Sequence, residues 1–372
     1  MKSSKALLTL IGFLMPLMGL VAADQVSFSR DVLPILSENC FYCHGPDEDH
    51  RKAGLRLDVE TSALALVDGE AEVKPGKPKE SLLIKRVFSK NPDEIMPPPD
   101  SLKELSPEEQ QILQQWIAAG APWGKHWAFE PPAKSEIPIS GSHPIDYFVQ
   151  QRLGLEGLML AEEAPRHTLL RRLSFDLTGL PPSHEEVQDF ERDTSPDAHL
   201  RQVERLLRSP HHGERMAMWW LDAARYADTD GYQGDATRAN WPWRDWVVQA
   251  FNENMPFDQF TLEQFAGDLL PDATAEQILA TSFHRNHMTN GEGGRDPEES
   301  RIDYVIDRVN TVGTIWIGMT VGCAQCHSHR FDPLSHKGYY QLNAYFNNID
   351  EDGRAGSGAK PFLNYKSPLG EA

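Results

Sequence analysis

Apolar residues recur at intervals of three and four along most of the chain, the spacing of one face of an α-helix. Residues 29–39 predict a short helix, and a capping box at Ser106 predicts another that ends at Gly120. Alternating strand patterns are scarce, so the sequence predicts a mostly α protein. Six more apolar stripes predict helices, at Leu169, Leu170, Leu173 and Leu177, at Val187 and Phe190, at Leu200, Val203, Leu206 and Leu207, at Met216, Trp219, Trp220 and Ala223, at Trp243, Trp246, Val247 and Ala250, and at Ile302, Val305, Ile306 and Val309.

Prolines and small residues at 125–143 interrupt this pattern, with Pro131, Pro132 and Pro138 among them. Such a segment is typical of a linker between domains. We therefore expect a small domain at 24–124 and a larger, predominantly helical domain at 144–372. Within the larger domain, Thr168 is expected to cap the first helix, and Gly179 is expected to end it.

The first 23 residues have the order of a secretory signal peptide. Lys2 and Lys5 precede an apolar run at 6–21, and small residues follow it at Ala22 and Ala23. A membrane anchor is the alternative, but the run is short beside the roughly 20 residues that span a bilayer. We expect export to the periplasm or another extracytoplasmic space, with cleavage before Asp24.

Composition and charge narrow the class of protein. Of the 372 residues, 40% are apolar, as in ordinary globular proteins. The balance of 36 basic and 55 acidic residues gives a net charge of −19, which argues against a nucleic-acid partner. Removal of the signal peptide, which contains two lysines, would change the net charge from −19 to −21. No second run of 18 apolar residues predicts a transmembrane segment in the mature chain.

All four cysteines lie in two C-x-x-C-H motifs, which use Cys40, Cys43 and His44 and then Cys323, Cys326 and His327. This motif is the attachment site of c-type haem. Two thiols on one helical turn can each form a thioether to a vinyl group, and the adjacent histidine can bind the iron. The motifs predict two covalent haems, with His44 and His327 as proximal ligands.

The four cysteines could instead form a zinc site or two redox disulfides. A four-cysteine zinc site would have to join pairs separated by about 280 residues and a domain boundary. Two redox disulfides of the thioredoxin kind would not require histidine after both pairs, and the βαβ pattern that accompanies them is absent. Both alternatives are weaker than the haem interpretation.

Met96 is a candidate for the sixth ligand of the first haem. Pro97, Pro98 and Pro99 follow it, so it lies on a stiff loop rather than in a helix. The thioether of a methionine on such a loop, shortly before the helix capped by Ser106, can reach an iron atom. The alternatives are a buried packing role for Met96 and ligation by His50.

The first domain resembles the planctomycete-type cytochrome c domain over about residues 26–124. The resemblance rests on Cys40 to Pro46, Gly54 to Asp58, Pro75 to Pro78, Ser81 to Leu83 and Met96 to Pro98. It implies a class I-like cytochrome fold. It also implies that C-x-x-C-H binds haem and that the methionine of M-P-P is the distal ligand, and the chain matches both.

The larger domain resembles the domain of unknown function that follows planctomycete cytochrome domains, over about residues 144–350. The matching segments are Arg171 to Pro182, Gly213 to Arg215, Trp220 to Asp228, Cys323 to His329 and Phe331 to Pro333. The family usually has Asp and Lys where this chain has Ser328 and Arg330. Many members continue into a further C-terminal domain, which is not expected in a chain ending at Ala372.

The sixth ligand of the second haem is left open among His287 or Met288, His329 and a vacant position. Two polar, glycine-containing loops, at 225–238 and 285–296, are also notable. Their acids could bind Ca²⁺ and their arginines could neutralise haem propionates, although surface ion pairs explain them equally well. The first loop departs from the EF-hand pattern because Ala239 replaces the bidentate glutamate.

These observations predict an exported dihaem c-type cytochrome that transfers electrons to or from a redox partner protein. One alternative is a haem oxidoreductase that acts on an unknown small molecule or polysaccharide at the second haem. Another is a carbohydrate-associated binding module docked to a redox chain, because nine tryptophans permit sugar stacking. The sequence leaves open whether the protein is an enzyme.

Overall fold

The computed structural model describes residues 26–67, 69–125, 127–135, 137, 143–329, 332–356 and 358–366. The predicted signal peptide at 1–23 lies outside them, as do Arg330 and parts of the predicted linker. The described residues are mostly helical, which confirms the predicted fold class. None of their helices is long and apolar enough to cross a membrane. The chain divides into two compact units, one including Met1–Pro132 and one comprising Ala133–His329 and Leu334–Ala372.

The first unit is a small helical domain with one short hairpin. A π-helical turn, Phe28–Val32, leads directly into the first α-helix. The hairpin strands pair antiparallel, with Leu66 opposite Ala71. The elements are α1 (Leu33–Asn39), α2 (Phe41–His44), α3 (Glu60–Ala63), β1 (Leu66–Val67), β2 (Glu70–Ala71), α4 (Leu82–Val87) and α5 (Pro107–Ala118).

Helix α5 closes this unit as its sequence predicts. The Glu109 N–H donates to the Ser106 side chain, and the Glu109 carboxylate accepts from the Ser106 N–H, so the capping box is confirmed. The buried face of α5 carries Trp116, whose ring lies 5.6 Å from that of Phe28 in the N-terminal turn. The terminal helical segments thus pack together, as a class I-like cytochrome fold requires.

The second unit is built from ten α-helices among the described residues. Its core centres on α11, where Trp243, Trp246 and Val247 are buried, and on the rings of Trp220 and Trp316 that pack against them. The helices are α6 (Pro144–Leu155), α7 (Arg166–Thr178), α8 (His184–Arg192), α9 (Ala198–Leu207), α10 (Pro210–Ala223), α11 (Trp241–Asn252), α12 (Phe257–Ala266), α13 (Ala275–Ala280), α14 (Pro297–Val312) and α15 (His336–Phe346).

All six apolar stripes predicted in this part of the chain lie on helices, but the predicted cap of α7 is wrong. Helix α7 begins at Arg166 after Pro165, two residues before Thr168. The Arg166 guanidinium donates to the carbonyls of Phe190 and Asp193, which anchors the start of the helix to α8. The predicted stop is confirmed, since Gly179 ends α7 with φ +71°.

Candidate functional sites

The first C-x-x-C-H motif forms one helical turn at the end of α1. The Cys40 carbonyl accepts hydrogen bonds from the N–H groups of Cys43 (3.1 Å) and His44 (2.8 Å). The Cys40 N–H in turn donates to the carbonyl of Leu36 in α1 (2.8 Å). Both cysteines therefore belong to one turn whose direction is fixed by α1.

The chain after this turn is held tightly against it. A Cβ atom on Gly45 would lie 2.3 Å from the Phe41 carbonyl oxygen, so no side chain fits there. The Arg51 guanidinium donates to the Gly45 carbonyl (3.1 Å), and the Leu57 N–H donates to the His44 carbonyl (2.8 Å). These bonds fold the loop that follows back onto the motif.

The imidazole of His44 has a nitrogen available for a ligand. Its Nδ1 is buried and has no hydrogen-bond partner among the described residues. Burial lowers the pKa of His44, and the positive charge of Arg86 lowers it further. The backbone of Lys52 opposes this shift but does not reach hydrogen-bond geometry. A neutral, half-buried imidazole of this kind suits an iron atom.

The two thiols of the first motif differ in their surroundings. Burial raises the pKa of the Cys40 thiol to about 12, and the nearby Cys43 adds to the shift. Cys40 therefore remains a neutral thiol at physiological pH.

Met96 lies outside the helices, on the loop after α4, as predicted. Its N–H donates to the carbonyl of Arg86 in α4 (3.2 Å). The Gln110 side chain donates from α5 to the next carbonyl of α4, that of Val87 (3.1 Å). The end of α4 is thus bonded both to the loop of Met96 and to the closing helix.

His50, the alternative ligand, has other contacts. Its Nδ1 lies 3.2 Å from a carboxylate oxygen of Asp47, and its ring packs on Tyr42 at 4.9 Å between centroids. The residue is exposed. These contacts hold the imidazole in the loop that follows the motif.

The second C-x-x-C-H motif shares one backbone contact with the first. A 3₁₀-helix, Val321–Gln325, leads into Cys326, whose N–H points to the Cys323 carbonyl at 3.4 Å. The Nδ1–H of His327 donates to the Ser328 carbonyl (2.8 Å). This bond leaves Nε2 as the unprotonated nitrogen, the arrangement found in most metal-binding histidines. Cys323, Cys326 and His327 are all exposed.

Helix α15 holds this second turn in place. The Gln325 carbonyl accepts from the Tyr340 hydroxyl (3.0 Å) and from Nε2–H of His336 (3.1 Å). The His336 N–H also donates to the Ser328 hydroxyl (3.2 Å). Ser328, where the resembling family usually has Asp, thus bonds both His327 and α15.

Both motifs fit covalent haem by their donor sets. All four cysteines are thiols, each pair lies on one turn, and each adjacent histidine keeps a nitrogen for iron. Among the described residues, no group of three or more His, Cys, Asp or Glu side chains is placed to hold a metal ion. The chemistry of the two turns therefore favours haem over a cysteine–histidine or carboxylate cage.

The candidates for the sixth ligand of the second haem lie in different settings. Both nitrogens of His287 are engaged, Nδ1 with the Met288 carbonyl (2.9 Å) and Nε2 with the Arg308 guanidinium (2.9 Å). Met288 is exposed and packs against Gly231. The backbone of buried His329 is bonded to Leu334 (2.8 Å). Ligation by His287 through either nitrogen would therefore break one of these hydrogen bonds.

His287 belongs to a buried ionic network that the sequence analysis missed. The Glu351 carboxylate accepts both terminal nitrogens of Arg308 (2.6 and 2.7 Å) and one of Arg285 (2.6 Å). The side chains of Glu351, Arg308 and His287 are at most 2% exposed. A signal existed for Arg308, because this charged residue lies three positions after Val305, within the apolar stripe of α14.

The pKa values in this network follow from burial and pairing. Burial alone would raise the pKa of Glu351, but the contact with His287 and the hydrogen bonds and charge of Arg308 outweigh it and hold it at about 2. Burial lowers the pKa of His287 to about 4 despite its contact with Glu351. Burial likewise lowers the pKa of His284 to about 3, among the rings of Phe265 and Phe346. Both histidines are neutral at pH 7.

The two polar loops meet one another. Thr289 donates to Asp230 from its hydroxyl (2.6 Å) and from its backbone N–H (2.9 Å). Arg238 donates to the His287 carbonyl (2.7 Å), and the Glu292 carboxylate accepts from the Gln233 N–H (2.7 Å). Charged groups of each loop are thus hydrogen-bonded to the other loop.

Comparison with known families identifies two matching regions in the chain. Residues 144–351, more than half of the chain, match the family described as Protein of unknown function (DUF1549). Residues 40–100 match Planctomycete cytochrome C, so the first unit contains a cytochrome c domain, for which covalently bound haem is implied. Both resemblances drawn from the sequence are confirmed, in the expected order. No curated protein and no solved structure matches the chain.

The buried network predicts that the protein loses stability on acidification. The pKa of His287 falls from 6.5 when unfolded to about 4 when folded, so its contribution is complete above pH 6.5 and is lost as the pH falls towards 4. Glu351 adds a loss in the same direction between about pH 4.5 and 2. Each proton contributes at most about 1.4 kcal/mol per pH unit. Thermal unfolding midpoints between pH 7.5 and pH 4 measure the slope.

In this experiment, replacement of His287→Gln should reduce the slope above pH 4 by the share of one proton, because His284, whose pKa is lowered to about 3, still contributes. The control is His199→Gln, which removes an exposed histidine and should leave the slope unchanged. Equal slopes in both variants would contradict the assignment of the acid-sensitive group to His287.

Proposed function

This chain belongs to the DUF1549 family, and we propose that it is an exported dihaem c-type cytochrome that transfers electrons to or from a partner protein. The observation that carries the proposal is the shared turn of the two motifs. In both, the second cysteine N–H points to the first cysteine carbonyl, and the next histidine keeps a nitrogen for iron. When bound, haem c supplies an iron that cycles between Fe(II) and Fe(III).

Each residue of the first site has a distinct role in this proposal. Cys40 and Cys43 would hold the porphyrin through thioethers, which fixes its position against α1. His44 and Met96 would be the two residues that bind the iron. A thioether is a soft, neutral ligand that favours Fe(II), so Met96 would raise the reduction potential.

The roles at the second site follow the same chemistry on a more open surface. Cys323 and Cys326 would carry the thioethers, and His327 would bind the iron through Nε2. The Ser328 carbonyl orients the imidazole by accepting Nδ1–H, which makes the ligand a stronger donor.

The proposed export depends on the predicted signal peptide. Covalent haem attachment takes place outside the cytoplasmic membrane, so a chain with two C-x-x-C-H motifs needs to be exported. The predicted signal peptide at 1–23 would provide for this.

A haem oxidoreductase is the second candidate, and one observation favours it. Cys323, Cys326 and His327 are exposed, and His287 is held by Arg308 and Glu351. An iron at this position with a vacant sixth site would be accessible to small ligands. By contrast, Trp220, Trp243, Trp246 and Trp316 pack in the core of the second unit, so these tryptophans do not favour the carbohydrate-module alternative.

The haem load tests the proposal directly. Protein matured in a host with cytochrome c assembly should carry two haems that survive denaturation. Intact mass and the reduced pyridine spectrum measure this number. The double variant Cys323→Ser, Cys326→Ser should carry one haem, and so should Cys40→Ser, Cys43→Ser. A wild-type chain with one haem, or with stoichiometric zinc instead, would contradict the proposal.

Carbon monoxide separates the electron carrier from the oxidoreductase. If the second iron has a vacant position, the reduced wild-type protein should bind one CO per chain, and the Cys323→Ser, Cys326→Ser variant should bind none. Absence of CO binding in a dihaem protein would favour the carrier and remove the support for the second candidate. The visible spectrum under a CO titration measures the stoichiometry.

Replacement of Met96→Ala tests the distal ligand of the first haem. Both thioethers should persist, because they do not depend on the distal side. The weak band at the red end of the oxidised spectrum, which reports an iron–thioether bond, should vanish, and the potential of the first haem should fall. The second haem serves as the internal reference. An unchanged spectrum and potential would mean that another residue, such as His50, binds the iron.

A further inference from the structure

The second C-x-x-C-H turn is closed less tightly than the first. Its internal bond, from the Cys326 N–H to the Cys323 carbonyl, measures 3.4 Å. In the first motif two bonds of 3.1 and 2.8 Å close the turn, and both end on the Cys40 carbonyl. Cys326 and His327 are also exposed, so packing does not fix them. The position of this pair therefore depends on the residues on either side of it.

Both neighbours of the pair are bonded to helix α15. Before it, the Gln325 carbonyl accepts hydrogen bonds from the Tyr340 hydroxyl (3.0 Å) and from Nε2–H of His336 (3.1 Å). After it, the Ser328 hydroxyl accepts from the His336 N–H (3.2 Å). A carbonyl oxygen has two lone pairs, and at Gln325 both have a donor. The pair Cys326-His327 is thus held at both ends by one helix.

Helix α15 is itself anchored in the second unit. Tyr339 is fully buried, and its hydroxyl donates to the side chain of Asn310 in α14 (3.3 Å). His336 and Tyr340 lie one turn apart on the same face of α15, and their rings meet edge to face with 5.2 Å between centroids. The two donors to Gln325 are therefore packed on each other and carried by a helix that the core holds.

We propose that His336 and Tyr340 are positioning residues of the second haem site. Through the Gln325 carbonyl they hold the pair Cys326-His327, which would carry one thioether and bind the iron. The inference rests on the proposed function, which places haem on this motif.

The same contacts bear on the reduction potential of the second haem. The Nδ1–H of His327 donates to the Ser328 carbonyl (2.8 Å), which makes the imidazole a stronger donor to iron and so favours Fe(III). When the Gln325 carbonyl loses both of its donors, the pair can rotate relative to Ser328, and this bond lengthens. We therefore expect the loss of both donors to raise the proportion of Fe(II).

The test uses the full chain with Cys40→Ser and Cys43→Ser, so that only the second motif can carry haem. Tyr340→Phe and His336→Leu each leave one donor on the Gln325 carbonyl, and the double variant leaves none. The double variant should raise the ratio of Fe(II) to Fe(III) at a fixed potential about threefold, and each single variant should raise it less. A spectroelectrochemical titration measures the ratio.

Two further readouts separate positioning from a purely structural role. In the Tyr340→Phe background, His336→Gln keeps a side-chain donor and should give the ratio of the Tyr340→Phe single variant. Hydrogen exchange at the amides of Cys326 and His327 should quicken about tenfold in the double variant, because local opening no longer breaks the bonds to Gln325. Faster exchange with an unchanged potential would make α15 a structural support only and would overturn the positioning role.

The matched control is Tyr345→Phe, which removes a hydroxyl from the same helix. Tyr345 is 75% exposed, and its hydroxyl is bonded to none of the described residues 323–328, so the potential should stay that of the parent. An equal shift in Tyr345→Phe, no shift in the double variant, or no rescue by His336→Gln would overturn the inference. Absence of haem on Cys323 and Cys326 in the parent would instead overturn the proposed function of this site, and the inference with it.

Discussion

One backbone contact, from the N–H of the second cysteine to the carbonyl of the first, determines the arrangement of both C-x-x-C-H motifs. It closes a turn of three residues, and this turn places two thiols and the following imidazole on a compact surface. The intervening residues differ, Phe41 and Tyr42 in one motif and Ala324 and Gln325 in the other. The turn therefore depends on the backbone and on its supports, which are α1 for the first motif and α15 for the second.

The same turn lies in two different environments, and this difference bears on chemistry. His44 is half-buried with an unpaired Nδ1, whereas His327 is exposed and donates from Nδ1 to Ser328. If both motifs hold haem, burial in a low-dielectric setting would favour the less charged Fe(II) at the first, while exposure and a bonded Nδ1 would favour Fe(III) at the second, and exposure would admit small ligands there. Two motifs of identical spacing are thus suited to different potentials and different access.

The sequence predicted the elements whose signals are local. The capping box at Ser106 and the glycine stop at Gly179 are both present, because each depends on residues within one turn. Thr168 was wrong as a cap because Arg166 bonds to carbonyls in α8, more than 20 residues away. In the second unit, α6, α12, α13 and α15 were not predicted; α6 buries no residue and α13 spans only six.

The same distinction, between signals local in sequence and contacts between distant residues, applies to the candidate sites. The two C-x-x-C-H turns could be predicted because their residues are adjacent in sequence. The network of Glu351, Arg308 and Arg285 could not, because its members are 43 and 66 residues apart along the chain. The contact of Arg86 with Met96 depends equally on how α4 and its following loop fold back. Spacing reveals a motif, whereas the surroundings that tune it come from tertiary structure.

The buried network and the second haem turn are successive parts of one structural element. Arg308 lies in α14, which continues through a π-helical segment, Gly313–Ile317, towards the turn that contains Cys323. At Gly313 a Cβ atom would lie 2.5 Å from the Val321 side chain, so this glycine lets the turn pack directly on the helix end. The Glu351 carboxylate accepts a hydrogen bond from Arg308 in α14. These charges, which are costly to bury, therefore also fix the position of the helix that leads to the second motif.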